Sequence, residues 1–360
     1  MIKYGHGGDV LSAKERIGSQ VKRILDFSAN INPLGLPEAV AQAVTGCLTD
    51  CCHYPDPFCR KLVEGIAKWE GVQPHQVLCG NGAADLIFRL VLACRSQRAL
   101  VAVPTFSEYE QALRACGCPV EQHLLRRESS FVLEEDFLER LCPGVGMVFL
   151  CNPNNPTGQL IPLDLLRKIA QRCREIGAVL VLDECFNDFL DQPDAWTMKP
   201  YLAEFPNLVI LKAFTKLYAM PGLRLGYCLC AGEELLDGAA ACGQPWSVST
   251  PAQAAGLAAL DQEDYRCRTA RWIAQERPFL RQSLEQLGLA VTGSQANYIF
   301  FRAPCQDLPQ RLEPLGILVR SCANYPGLDE QDCRVAVRSR EENQQLLAAL
   351  GQVLARSYSE

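Results

Sequence analysis

The feature that most constrains the fold is a series of short, uninterrupted apolar runs separated by stretches of helical periodicity. The runs are ALVAV, GMVFLC, AVLVL, NLVIL and LGYCLC, at residues 99–103, 146–151, 178–182, 207–211 and 225–230. Because their apolar residues do not alternate with polar ones, we expect strands buried on both faces. Helical patterns at 83–94 and 163–176 lie between such runs. This repetition predicts an α/β fold with a mostly parallel central sheet and helices on both faces.

Beyond about residue 250 the pattern changes. Residues 251–287 predict a long helix with one break near Pro278, because proline lacks the amide hydrogen that a helix interior uses. Three short strand patterns and a terminal helix follow, at 297–302, 317–320, 333–338 and 340–356. We therefore predict a large α/β domain over 39–262 and a smaller α+β domain built from 1–38 and 263–360.

Composition excludes several classes of protein. With 360 residues, 48% of them hydrophobic and 21% charged, the chain is of ordinary globular composition and not disordered, collagen-like or coiled-coil. A net charge of −6 makes a nucleic-acid partner unexpected. The longest apolar stretches are too short to span a membrane, and the start, MIKYGHGGDV, lacks the apolar core of a signal peptide. We expect a cytoplasmic protein with reduced thiols.

Cysteine is abundant, with 19 residues, and two interpretations are open. Cysteine can serve as a small buried hydrophobic residue. Alternatively, Cys51, Cys52, His53 and Cys59 form a metal cluster. The sequence contains no C-x-x-C pair, so the first interpretation is favoured and we expect no metal.

A glycine turn joins an apolar strand, Val77–Cys79, to the helical pattern at 83–94. In this turn, GNGAA at 80–84, the free amides of a helix start would bind an anion, and a phosphate suits the site. A tight strand-to-helix turn without a ligand is the alternative. The dinucleotide motif G-x-G-x-x-G needs glycine where Asp85 stands, so we do not expect a dinucleotide site.

Two polar motifs follow buried strands. The segment NPNNPTG at 152–158 comes directly after the strand that ends at Cys151. Ligands bind at the carboxyl ends of parallel strands, although a turn without a ligand is the alternative. Asp183 ends the next strand, where a buried carboxylate is costly unless it meets a cation. We expect that cation to belong to a partner residue or to a cofactor.

Lys216 lies in a largely apolar segment, FTKLYAMPGLRLGY at 214–227. Burial disfavours the charged form of a lysine, which suits a nucleophilic amine or a Schiff base. A lysine that extends its amine to solvent is the alternative. These motifs occur in a fixed order along the chain and together form one pattern. The order is the phosphate turn, the NPNNPTG segment, Asp183 at a strand end, and Lys216 with Arg224 eight residues later.

This pattern resembles that of the pyridoxal-phosphate enzymes with the aspartate aminotransferase fold, over essentially the whole chain. Within that group the sequence is most similar to the threonine-phosphate decarboxylase family of cobalamin biosynthesis, with histidinol-phosphate aminotransferases as near relatives. The closer similarity rests on HGG at 6–8, DFSANINP at 26–33 and RSCANYPG at 320–327. The resemblance implies a pyridoxal 5′-phosphate-dependent aminotransferase-like fold with a smaller α+β domain.

The resemblance also implies how the cofactor ring would be held. Lys216 would carry the cofactor covalently and then serve as the catalytic acid and base. Asp183 would pair with the protonated pyridine nitrogen. Asn155 would donate a hydrogen bond to the ring oxygen, and Phe106 would stack on the ring face.

For the cofactor phosphate, the resemblance implies a set of contacts from several segments. These residues are Gly82, Ala83, Thr215, Arg224 and, from the partner subunit, Tyr54. The active site would therefore be shared within a homodimer. Ala213 stands where relatives often have a serine that touches the phosphate, so one contact worth about 1 kcal/mol would be lost.

Two arginines would then bind the substrate, because a guanidinium suits both carboxylate and phosphate. Arg334 would bind the carboxylate, with Arg338 as the alternative. Arg320 would bind a substrate phosphate. The remaining substrate contacts would come from His6, Gly7, Asn30 and Asn155.

The activity that the resemblance implies is decarboxylation of O-phospho-L-threonine to (R)-1-amino-2-propanol O-2-phosphate, for the nucleotide-loop linker of cobalamin. Phe186 stands where aminotransferases usually have a tyrosine, which favours the decarboxylase. O-phospho-L-serine is a further expected substrate, because a single methyl group gives little discrimination. The alternatives are histidinol-phosphate aminotransferase or another aminotransferase, and a scaffold protein without cofactor.

Overall fold

A seven-stranded sheet, a four-stranded sheet, a short two-stranded pair and the surrounding helices organise the described part of the chain. The computed structural model describes residues 7–18, 21 and 23–357. The strands are β1 (Leu25–Asp26), β2 (Val77–Gly80), β3 (Ala99–Val103), β4 (Val120–Leu124), β5 (Met147–Cys151), β6 (Val179–Asp183), β7 (Leu208–Ala213), β8 (Gly226–Leu229), β9 (Ala290–Thr292), β10 (Tyr298–Arg302), β11 (Ile317–Leu318), β12 (Arg320–Ser321) and β13 (Asp332–Ala336). The helices are α1 (Val10–Ile17), α2 (Glu38–Gly46), α3 (Arg60–Glu70), α4 (Ala83–Cys94), α5 (Glu108–Ala115), α6 (Leu163–Glu175), α7 (Phe214–Leu217), α8 (Glu233–Ala241), α9 (Thr250–Leu260), α10 (Glu263–Gln286), α11 (Leu308–Leu312) and α12 (Arg340–Ser357).

The central sheet has seven strands in the order β2-β8-β7-β6-β5-β3-β4. All of them are parallel except β8, which is antiparallel to both of its neighbours. Successive residues of β5 enter two different cores. Val148 and Leu150 pack on one face of the sheet, while Phe149 packs on the other with Leu86 of α4. Apolar side chains are therefore needed at every position, which confirms the predicted mostly parallel sheet covered on both faces.

The topology brings the sequence motifs to one edge of this sheet. The parallel strands β2, β3, β5, β6 and β7 all end there, because their carboxyl ends point the same way. The antiparallel β8 begins at this edge, since Gly226 lies opposite both Gly80 and Ala213. Arg224, just before β8, is thereby placed beside the glycine turn and Lys216.

A second sheet of four antiparallel strands has the order β12-β13-β10-β9. A short parallel pair, β1 with β11, connects an N-terminal segment to the C-terminal part of the chain. The strand predicted at 317–320 is divided, because the chain leaves β11 and joins the four-stranded sheet as β12. In that sheet Arg320 lies directly opposite Arg334.

The predicted break near Pro278 is wrong. The chain breaks instead at Asp261 and Gln262, between α9 and α10, and Pro278 lies inside α10. Proline removes the hydrogen bond to the carbonyl four residues earlier, that of Ala274. Pro278 and Ala274 are both exposed, so this carbonyl can bond to water, and the helix continues.

The cysteines are free thiols, and more than half of them are buried. Cys51 and Cys52 are exposed while Cys59 is buried. Within the described residues, no group of three or more His, Cys, Asp or Glu side chains is arranged to hold a metal ion. None of the helices in this part of the chain has the length and apolar character required to cross a membrane. The division into domains at 38/39 and 262/263 stays a prediction.

Candidate active site

A cavity of about 270 Å³ lies at the edge of the central sheet where the parallel strands end. It is closed on the other side by the N-terminal segment and by the four-stranded sheet. The predicted site residues that line it are Gly7, Asn30, Ala83, Phe106, Asn155, Asp183, Thr215, Lys216, Arg224, Arg320 and Arg334. Residues that are far apart in the sequence, from Gly7 to Arg334, therefore converge on one space.

Three of the residues named from the sequence do not line the cavity, and a fourth is not among the described residues. Gly82 lies beside the cavity, in contact with Arg224. Tyr54 is 78% exposed and stacks on Trp246 at 4.4 Å, outside this cavity. His6 lies outside the described residues. Arg338, the alternative carboxylate ligand, is paired with Glu342 at 3.0 Å and does not line the cavity.

Several further residues line the cavity that the sequence did not single out as site residues. They are Ser28, Ala29, Ala84, Glu108, Cys151, Cys185, Phe186 and Tyr325. Ser28, Ala29 and Tyr325 belong to the segments at 26–33 and 320–327 that carry the family resemblance. The resemblance could therefore have indicated them as site residues. Ala84 belongs to the glycine-turn motif at 80–84, and Phe186 was noted only for its missing hydroxyl. Glu108 begins α5, Cys151 ends β5 and Cys185 follows β6, and no sequence motif marks these three residues.

Lys216 projects from the one-turn helix α7, directly after β7. Burial is the main cause that lowers the pKa of its amine to about 8, and the positive charges of Arg334 and Arg224 add to the effect. The neutral, nucleophilic form of the amine is therefore accessible near neutral pH. This matches the chemistry expected from the apolar segment.

Asp183 ends β6 and is 5% exposed. The hydroxyl of Tyr109 donates to its Oδ2 at 2.5 Å, and the N–H of Cys185 donates to its Oδ1 at 2.9 Å. Burial and the nearby Asp183 raise the pKa of Tyr109, so this hydroxyl stays protonated. Both donors are neutral, and the charge of Asp183 still lacks a cation among the described residues. No sequence motif marks Tyr109 as a site residue.

The glycine turn forms an anion cradle at the start of α4. Gly82 has φ +81°, and a Cβ there would lie 2.6 Å from Nη2 of Arg224. Glycine is thus required both for the backbone conformation and for the close approach of the guanidinium. Arg224 itself has φ +58°, a strained conformation of the kind found at binding sites. The amides of Ala83 and Ala84, the Thr215 hydroxyl and this guanidinium suit a phosphate.

Arg320 and Arg334 bring two positive charges into the same cavity. They are 8% and 5% exposed and lie directly opposite each other on β12 and β13. Nη2 of Arg334 donates to the carbonyl of Ser28 at 2.8 Å, and Nη1 donates to Oδ1 of Asn155. Its buried Nε has no partner. No carboxylate oxygen of the described residues lies within 4.0 Å of either guanidinium. Like charges in this register are unfavourable unless anions bind them.

Comparison with known proteins identifies the family. The model of the family "aminotransferase class I and II" matches residues 22–350. The chain belongs to this family. It is 40% identical to the threonine-phosphate decarboxylase of Salmonella typhimurium, over 98% of each chain. This confirms the resemblance predicted from the sequence, the pyridoxal-phosphate-dependent fold and the enzyme class, and it overturns the alternative of a cofactor-free scaffold.

Solved structures of this family share the fold. The histidinol-phosphate aminotransferase of Clostridium acetobutylicum is 27% identical with a TM-score of 0.87, over 92% of this chain and 100% of that one. The histidinol-phosphate aminotransferase of Sinorhizobium meliloti, in complex with pyridoxal-5′-phosphate, is 22% identical with a TM-score of 0.83, over 96% of this chain and 94% of that one. The cofactor of the family is pyridoxal 5′-phosphate, as predicted.

The cavity fits this cofactor. The cradle beside Gly82 provides amides and a guanidinium for a phosphate. Asp183 is a buried carboxylate that needs a cation, and Lys216 is an amine with a lowered pKa. Phe106 brings an aromatic ring to the lining of the same cavity.

Proposed function

We propose that the protein decarboxylates O-phospho-L-threonine to (R)-1-amino-2-propanol O-2-phosphate, the linker of the cobalamin nucleotide loop. The observation that carries the proposal is the pair of buried arginines, Arg320 and Arg334, in one cavity with Lys216. A substrate with a carboxylate at one end and a phosphate at the other neutralises both charges. The 40% identity with a threonine-phosphate decarboxylase supports this choice of substrate.

In this proposal the cofactor is held by the residues already described. Lys216 carries it, Asp183 pairs with its pyridine nitrogen, Asn155 bonds to its ring oxygen, and Phe106 stacks on the ring. Its phosphate is bound by Gly82, Ala83, Thr215 and Arg224, and by Tyr54 of a second copy of the chain. Bound pyridoxal phosphate supplies an electron sink for the pair released from the substrate Cα.

Two anchors decide which bond of the substrate breaks. Arg334 holds the carboxylate and Arg320 holds the phosphate, so the substrate cannot rotate freely about its Cα. The bond from Cα to the carboxylate carbon breaks, carbon dioxide leaves, and the amine of Lys216 delivers a proton to Cα. Binding energy at both ends is thereby used to orient the reacting bond. Phe186 lines the cavity, and its buried ring packs edge-on against the buried ring of Tyr298.

Three ligands separate the roles of the two arginines. O-phospho-L-threonine carries both anionic groups, L-threonine lacks the phosphate, and 1-amino-2-propanol phosphate lacks the carboxylate. We expect Arg320→Gln to weaken binding of the two phosphate-bearing ligands roughly ten- to a hundredfold and to spare L-threonine. Arg334→Gln should weaken the two carboxylate-bearing ligands and spare the amine phosphate.

The matched control is Arg338→Gln, since Arg338 lies outside the cavity and is paired with Glu342. Its KM for O-phospho-L-threonine should stay at the native value. So should its affinities for the other two ligands, measured by calorimetry on the cofactor-loaded protein. Weaker binding of carboxylates by this variant would move the carboxylate site from Arg334 to Arg338. Equal losses for all three ligands in both cavity variants would contradict the division of roles.

A second candidate function is histidinol-phosphate aminotransferase. The similarity in structure to the Clostridium acetobutylicum enzyme favours it, and one phosphate-binding arginine would serve its substrate. Phe186 has no hydroxyl to donate to the ring oxygen of the cofactor, whereas aminotransferases usually have a tyrosine at this position. This difference favours the decarboxylase. Amine transfer from histidinol phosphate to 2-oxoglutarate is the activity that this candidate requires. O-phospho-L-serine remains a further proposed substrate, and the homodimer and the cytoplasmic location stay predictions.

A further inference from the structure

Asn32 links the segment of Lys216 to other parts of the protein. It lies between β1 and α2, is 3% exposed, and is not among the cavity-lining residues of the described chain. Its side-chain amide donates two hydrogen bonds of 2.7 Å, to the carbonyl of Leu217 and to Oγ1 of Thr269. Its main-chain N–H donates to the carbonyl of Lys216 at 3.2 Å. One residue thus contacts the backbone of the lysine itself.

The helix α7 needs such a partner because it has only four residues. The last carbonyls of a helix have no partner within it, and a single turn is not stable by itself. The N–H of Ala219 reaches the carbonyl of Lys216 only at 3.4 Å. Asn32 therefore serves as the C-terminal cap of α7, although it lies 185 residues away from Leu217 in sequence.

The second acceptor of the Asn32 amide, Thr269, belongs to the long helix α10. The Thr269 hydroxyl donates to the carbonyl of Tyr265 at 2.9 Å, so its oxygen accepts from Asn32. The Tyr265 hydroxyl donates to the carbonyl of Gly35 at 2.6 Å, and Oδ1 of Asn32 accepts from the N–H of Leu34 at 3.1 Å. Bonds on both sides fix the orientation of the Asn32 amide, and through Asn32 the helix α7 is joined to α10.

We propose that Asn32 is a positioning residue for Lys216, which fixes the place of the lysine amine in the cavity by capping α7. The inference rests on the proposed role of Lys216 as the residue that carries the cofactor, and it is independent of the substrate. Ser28, Ala29 and Asn30 of the same segment line the cavity. The segment that contacts the substrate side of the cavity is thus bonded directly to the backbone of the catalytic lysine.

The test is Asn32→Asp, which keeps the shape of the side chain but replaces the donating amide with an oxygen. This oxygen would face the carbonyl of Leu217 and Oγ1 of Thr269, so α7 should shift. We expect uptake of pyridoxal phosphate by the apoprotein, followed by visible absorbance, to slow roughly tenfold or more. We expect kcat to fall by a similar factor with KM nearly unchanged, because Asn32 does not touch the cavity.

Thr269 provides a graded second test. Thr269→Val removes one of the two acceptors of the Asn32 amide and should give an intermediate loss of uptake rate. Thr269→Ser keeps the hydroxyl and should restore native uptake. If Asn32→Asp does not fold, the two Thr269 variants provide the test. A native uptake rate in a folded Thr269→Val would then overturn the proposal.

The matched control is Asn207→Asp. The amide of Asn207 also donates to two backbone carbonyls, those of Ala170 and Ala178, remote from the cavity. The Asn207→Asp variant should have a lower melting temperature, with native values for the uptake of pyridoxal phosphate and for kcat. A folded Asn32→Asp with native uptake, or one that loses only stability like Asn207→Asp, would overturn the role. If uptake changes as expected but no variant or native protein releases carbon dioxide, the proposed function fails and the positioning role stands.

Discussion

Lys216 and the groups around it determine the chemistry of the cavity at the scale of single residues. Burial and two nearby guanidinium groups lower the pKa of its amine to about 8. Asp183, at the end of the neighbouring strand, is a buried carboxylate that has no cationic partner among the residues that the structure describes. The sequence predicted both residues, because a lysine in an apolar segment and an acid at a strand end are visible in one dimension. It did not predict Tyr109, whose contact with Asp183 depends on how α5 packs.

The lowered pKa of Lys216 has a measurable consequence. The amine reacts in its neutral form, which is populated as pH rises through the pKa, so uptake of pyridoxal phosphate should increase with a midpoint near pH 8. Arg334→Gln removes a positive charge beside the amine and should move this midpoint to higher pH. Arg338→Gln, outside the cavity, should leave it unchanged. A midpoint near the ordinary lysine value of 10.5 in the native protein would contradict the account.

Helices and strands can be predicted from the sequence where one local feature, such as burial on both faces or a glycine turn, determines them. The strands β3, β5 and β6 and the helix α4 lie where the apolar runs and the glycine turn predict them, because both faces of these strands are buried. No sequence pattern predicts β4, whose residues VEQHL are mixed in polarity because it is an edge strand. The break between α9 and α10 was misplaced, since the surface position of Pro278 depends on tertiary packing.

The role of Gly82 at the start of α4 can be tested with Gly71 as a matched control. Gly82→Ala places a Cβ 2.6 Å from Nη2 of Arg224 at a residue with φ +81°. It should displace the guanidinium and weaken binding of pyridoxal phosphate roughly tenfold or more, since a charge-assisted contact is lost. Gly71→Ala imposes similar backbone strain at φ +69°, with nothing within 4 Å of the new Cβ. It should cost stability alone, so an equal loss of cofactor affinity would contradict the phosphate cradle.

At the scale of the whole molecule, the order of the motifs predicted which residues meet, and the topology explains why. Parallel strands end at one edge, and the antiparallel β8 returns Arg224 to it. The sequence could not predict that Arg320 and Arg334 lie opposite each other, because strand register in the second sheet is not visible in their spacing. It placed Tyr54 in the site through a partner subunit, and in one chain this residue is exposed and stacked on Trp246.

Sharing of the site between two subunits can be tested by mixing inactive variants. A Lys216→Ala chain keeps Tyr54, and a Tyr54→Ala chain keeps Lys216. If Tyr54 acts in the partner's site, exchange of subunits should create one native site in each hybrid and recover activity. Lys216→Ala mixed with Asp183→Ala is the control, since both residues line one cavity of one chain. Recovery in the control, or none in the test mixture, would contradict the shared site.

The most direct test of the central claim is carbon dioxide release from O-phospho-L-threonine by the cofactor-loaded protein in the absence of any keto acid. The account predicts sustained release, with one equivalent of 1-amino-2-propanol phosphate for each carbon dioxide, and its loss in Lys216→Ala. No release, together with amine transfer from histidinol phosphate to 2-oxoglutarate, would contradict it and identify the protein as an aminotransferase.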